Sequence, residues 1–72
     1  MNEFIQVLEA MLEVEPGTLQ PATPLKQIAG WDSMAAVGFL ALADGEYGKA
    51  VAPSAIQQCA TVADLGALVG QA

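Results

Sequence analysis

The stretch WDSMAAVGFLALADGEY, residues 31–47, anchors the reading of this chain. Asp32 and Ser33 are helix-capping residue types directly ahead of an apolar run, so a helix is predicted from near Ser33 to about Tyr47. Within it Met34, Val37, Leu40 and Ala41 form one stripe, which Phe39, Leu42 and Ala43 widen. Phe39 lies off that stripe, either packed under a loop or exposed as a contact. Gly38 costs roughly 1 kcal/mol against alanine inside a helix and leaves room for another backbone or a partner to come close. Gly48-Lys49 reads as the stop. A serine in a first helical turn lies in a weakly positive field, beside N–H groups that have no intrahelical partner. Such a place favours a phosphate. The chain has no histidine, so Ser33 lacks an evident base that would make it a nucleophile. It reads instead as a residue to which something is attached.

Upstream, Phe4, Ile5, Val7, Leu8, Met11 and Leu12 recur at spacings of three and four, one face of an amphipathic helix. Glu3, Gln6, Glu9 and Glu13 fall on the other face, Asn2 is the expected N-cap, and Pro16-Gly17 the expected stop. Residues 16–32 then form a connection long enough to need packing or a function of its own. Leu19, Leu25, Ile28 and Trp31 supply the packing, so an ordered strap is expected, with Trp31 pinning it to the bundle. Thr23-Pro24 reads as a cap and first helical position for one short turn over residues 24–28. Downstream, Pro53 or Ser54 opens a short helical stretch, Ala55 to Cys59. Thr61-Val62-Ala63-Asp64 has the spacing of a capping box, with Asp in place of Glu or Gln. Val62, Leu65, Leu68 and Val69 continue that helix until Gly70. No segment alternates well enough to make a strand. The expectation is all-α, with three main helices, one minor helix and a long first loop.

Seventy-two residues allow a single domain, residues 1–72, with a dense core because more than half of them are apolar. Eight acidic residues against Lys26 and Lys49 give a net charge of −6. That balance argues against nucleic acid and for partners with basic patches, besides aiding solubility. Cys59 is the only cysteine, which excludes an internal disulfide and points to a small buried apolar side chain rather than a metal ligand. No metal site is expected. The N-terminal segment resembles neither a signal peptide nor a membrane span, so the expected location is cytoplasmic, without stable membrane insertion. Starting at Met1 with no linker favours a free-standing protein. An enzyme is poorly supported: there is no Gly-rich phosphate loop, and Glu13 and Glu15, two apart, do not converge.

Taken in register, these features resemble the acyl carrier proteins and the related peptidyl carrier domains over nearly the whole length. Leu25-x-x-Ile28-x-x-Trp31-Asp32-Ser33-Met34 is similar to the family's Asp-Ser-Leu attachment motif. Val37 and Leu40 follow on the helix, then Tyr47 and Val51. Thr61-Val62-x-Asp64-Leu65 opens the last helix, 28 residues after Ser33. The resemblance implies a small four-helix bundle of acyl-carrier type with a long first loop and a short third helix. It implies that Ser33 carries 4′-phosphopantetheine, with Asp32 supporting by capping the helix or by positioning coenzyme A and its metal. A phosphopantetheinyl transferase would install the arm, and acyl-transfer, synthase or ligase enzymes would then handle an acyl or aminoacyl cargo. The chain is expected to be a monomer and not itself an enzyme. The alternatives are a peptidyl carrier of nonribosomal type, or an unmodified helical interaction module.

One departure from the family bears on partners. The best-known fatty-acid carriers line the second helix with acidic residues, whereas here Asp44 and Glu46 come late. An apolar contact surface around Met34, Ala35, Ala36, Val37 and Gly38 is therefore expected, although Val37 and Leu40 also suit the core and Met34 suits either role. That pattern leans toward a specialised fatty-acid, polyketide, nonribosomal peptide or surface-lipid pathway.

Overall fold

In a computed structural model that describes residues 2–71, the chain is four α-helices and a single 3-10 turn, with no strand among the described residues. The helices are α1 (Asn2–Leu12), α2 (Ser33–Tyr47), α3 (Pro53–Gln57) and α4 (Val62–Leu68), and the 3-10 turn is Leu25–Gln27. This is the all-α bundle with a long first loop and a short third helix that the sequence predicts. No helix among the described residues is long and apolar enough to cross a membrane.

The core is built from both ends of the chain. Phe4 and Leu8 of α1 and Phe39 of α2 are fully buried, as are Val62 and Leu65 of α4. Phe4 meets Phe39 edge to face at 6.1 Å and 88°, and Tyr47 at 6.1 Å and 52°. Burying one such ring stabilises by about 1.5–3 kcal/mol, and a well-placed aromatic pair adds about 0.5–1.5 kcal/mol. Phe39 thus orients α2. The helix carries apolar residues on every side, so their pattern alone leaves its rotation open, and the largest side chain sets it. Val37, read as suiting either the core or a contact surface, is 63% exposed as a consequence, and Ala41 is exposed too. Leu40 stays half-buried against the core cluster.

The helix ends follow local chemistry. Asn2, expected as a cap, already lies inside α1. That helix ends at Leu12, four residues before Pro16, because Glu13 adopts a left-handed conformation, φ 57°. Val14 N–H then donates to Glu9 O and Glu13 N–H to Ala10 O, the pattern of a Schellman stop. The early stop serves Glu9, placed by its periodicity on the polar face but only 3% exposed. Its carboxylate Oε2 accepts the N–H groups of Gly17 at 2.9 Å and Leu19 at 3.0 Å. It latches the start of the loop to α1, beside the buried Leu19.

The remainder of the loop is stapled to the α3–α4 connection and the first turn of α4. Leu25 N–H donates to Ala60 O at 2.9 Å, Val62 N–H to Thr23 O at 3.1 Å and Ala63 N–H to Pro21 O at 2.9 Å. Leu25 and Ile28 are buried beneath it. The loop is thus an ordered strap. Thr23 does not cap the 3-10 turn as expected; Pro24 occupies that position and the Thr23 hydroxyl accepts from Gln20 N–H. The α3 helix opens at Pro53, and α4 carries the expected capping box, both halves of which are formed between Thr61 and Asp64.

Candidate functional site

The strap delivers its last residues to the start of α2. Gly30 turns there with φ 87°, a region that residues bearing a Cβ seldom enter. Trp31 N–H donates back to Ile28 O, and the half-buried Trp31 ring packs against the core cluster. Asp32 is the N-cap in extended backbone, φ −137° and ψ −170°, and its carboxylate accepts Ala35 N–H at 2.9 Å.

That assignment of the cap matters for Ser33. Either Asp32 or Ser33 can cap a helix by residue type. With Asp32 in the role, Ser33 becomes the first helical residue, exposed, its hydroxyl making no hydrogen bond to the described residues. Of the first-turn N–H groups, those of Ala35 and Ala36 are taken by Asp32. The N–H groups of Ser33 and Met34 meet no acceptor among the described residues, as helix geometry requires.

The chain has one other serine, Ser54, and it too is exposed in a first helical turn. The two places are not equivalent. Ser33 heads a 15-residue helix with a carboxylate cap; Ser54 belongs to a five-residue helix whose cap, Ala52, offers no side-chain bond. Fewer aligned peptides and no cap make the Ser54 position the weaker one for an anion.

Ser33 also borders a groove of about 420 Å³ between α2 and α3. Trp31, Asp32 and Ser33 form part of its wall, Ala36, Val37 and Leu40 line it from α2, and Ile56 and Cys59 from the α3 region. Cys59, expected to be buried, is half-buried and donates its Sγ–H to Ala55 O at 3.4 Å. Burial pushes its thiol pKa up, and the nearby Asp64 charge pushes it further, which holds it in the unreactive protonated form. No group of three or more His, Cys, Asp or Glu among the described residues is placed to hold a metal.

The outer face of α2 is narrower than expected: Ala36, expected on the contact surface, is half-buried and packs against the core cluster. Met34 and Val37 are 79% and 63% exposed, and Ala35 is half-buried. Gly38, expected on the partner surface, faces inward: a Cβ there would stand 3.5 Å from Met11 Sδ of α1. The glycine lies where the two helices pack, so the outward apolar face reduces to Met34, Val37 and Ala41. Their i, i+3, i+7 spacing is a helical stripe; of the stripe read from the sequence, these three point to solvent and Leu40 stays half-buried.

Comparison with curated proteins and with solved structures returned no match. A family model described as "Phosphopantetheine attachment site" matches residues 2–69, almost the whole chain. Domains of this family are carriers rather than catalysts and bear covalently attached 4′-phosphopantetheine. The chain belongs to the phosphopantetheine attachment-site family and is a carrier protein.

Proposed function

We propose that Ser33 is the attachment point, and that the loaded chain passes acyl or aminoacyl intermediates between the enzymes of a specialised biosynthetic pathway. The observation that carries this reading is the division of labour at the head of α2. Asp32 satisfies the helix, and the Ser33 hydroxyl is left exposed and uncommitted beside two unpartnered N–H groups. These residues fit a phosphodiester: the oxygen is accessible, and a positive helix end tolerates the anion that attachment creates. When bound, the arm supplies a terminal thiol that holds cargo as a thioester. Ser33 holds the arm, Asp32 keeps the first turn wound beneath it, and the groove beside Ser33 offers apolar walls to a chain lying along α2. A phosphopantetheinyl transferase is the first partner required, since no group among the described residues accepts a hydrogen bond from the Ser33 hydroxyl.

The later partners would meet Met34 and Val37, a small apolar surface with no acidic side chain in the first turn of α2. That composition favours enzymes that dock by packing over enzymes that dock by charge, and supports the lean toward a dedicated pathway. Incubation of the apo protein with coenzyme A, Mg²⁺ and a broad-specificity transferase, followed by intact-mass measurement, tests the attachment. One phosphopantetheine is expected on the wild type and none on Ser33→Ala. An unmodified wild type, under conditions that load a control carrier, contradicts the proposal.

A further inference from the structure

The chain has only two lysines and no arginine, and one of the two cations borders the groove that Ser33 borders. Lys26 lies in the 3-10 turn Leu25–Gln27 and lines that groove together with Asp32 and Ser33. The backbone beneath it is held firmly. Leu25 is buried and bonded to Ala60 O, Gln27 N–H donates to Pro24 O, and Ile28 N–H to Leu25 O. Asp32 is the groove's only carboxylate and is committed to Ala35 N–H. Lys26 forms no ion pair and no side-chain hydrogen bond among the described residues. Lys49, by contrast, follows the C-terminal end of α2, about 22 Å along the helix from Ser33 by its rise per residue.

Lys26 is exposed where it lines the groove, and an ammonium there attracts an anion that comes within a few ångströms of it. We propose that Lys26 is a positioning residue whose ammonium takes an anionic oxygen lying in the groove of the loaded carrier. This inference rests on Ser33 as the attachment point. Two sources carry the same chemistry: the arm's own phosphodiester, and a carboxylate at the far end of the cargo. In the first case Lys26 holds the arm toward the α2–α3 groove; in the second it selects cargo that ends in an acid.

The test uses protein labelled with ¹³C-lysine, so that Lys26 and Lys49 supply two side-chain signals, assigned with Lys26→Arg. The pKa of each is measured in the apo protein, with the free arm, and with arms bearing an acetyl or a glutaryl group. The acyl groups are joined through an amide so that they survive the titration. A nearby anion is expected to raise the Lys26 value by about half a pKa unit and leave Lys49 unchanged. A rise on loading the free arm, with a moved ³¹P resonance in Lys26→Gln, supports the phosphodiester. A rise that appears only with glutaryl supports the cargo carboxylate. Loading without movement of Lys26 in any form overturns the proposal and leaves Ser33 standing. Failure to load by intact mass overturns Ser33 as the attachment point and this proposal with it.

Discussion

Asp32 and Glu9 are carboxylates that act on backbone amides, and each frees or fixes something beyond itself. Asp32 takes the cap and leaves the Ser33 hydroxyl outside the helix's own bonding. Glu9 takes Gly17 and Leu19 N–H and closes the loop over its own helix. Replacing Glu9 with alanine leaves those donors without their charged acceptor and is expected to cost about 2–3 kcal/mol. Glu9→Gln retains an oxygen acceptor and should cost less, and urea unfolding of both variants checks the order. Glu13 holds a left-handed conformation at the end of α1, where Gly70, φ 77°, does the same after α4. Glu13→Gly is expected to stabilise the protein by about 0.5–1 kcal/mol, seen as a rise in Tm, because glycine enters that region without a Cβ penalty. An unchanged or lower Tm would show that Glu13 contributes something its backbone conformation does not reveal.

At the scale of elements, α4 carries a pH dependence. The backbone N–H groups of Ala60 and Thr61 donate to the Asp64 carboxylate and hold its pKa below the ordinary carboxylate range. A depressed folded-state pKa contributes stability above the ordinary value and loses it as pH falls through the folded value. Acid should therefore lower Tm through that window, and Asp64→Asn should remove this part of the slope. Thr61→Ala, which removes the other half of the box, is expected to cost about 1 kcal/mol. These ends were legible because capping is a short-range code: Thr61-x-x-Asp64 and Gly48 stand in the sequence where the structure uses them. The rotation of α2 was not. Apolar residues surround that helix, and only the burial of Phe39 against Phe4, a contact 35 positions apart, settles which of them face out. Glu9 was hidden for a similar reason. Its periodicity places it with polar residues, while its partners lie on a loop whose path the pattern does not contain.

Across the whole molecule, the strap is tied to the α3–α4 connection through Leu25 and to the start of α4 through Val62 and Ala63, and the groove opens between α2 and α3, with Ser33 on its wall. The first turn of α2 holds no acidic side chain, and the outward stripe there is Met34, Val37 and Ala41. Docking to the enzymes that follow the transferase should therefore depend little on salt. Met34→Asp should weaken it by about tenfold or more, as loss of a buried apolar anchor does, while leaving Tm nearly unchanged because the residue is exposed. Steep salt dependence with no effect of Met34→Asp would place the partner elsewhere. The attachment itself is tested most directly by fragment mass spectrometry of the loaded protein, which separates the two first-turn serines. The arm is predicted on Ser33, with Ser54 unmodified and Ser33→Ala unloaded. An arm found on Ser54, or retained in Ser33→Ala, would contradict the account.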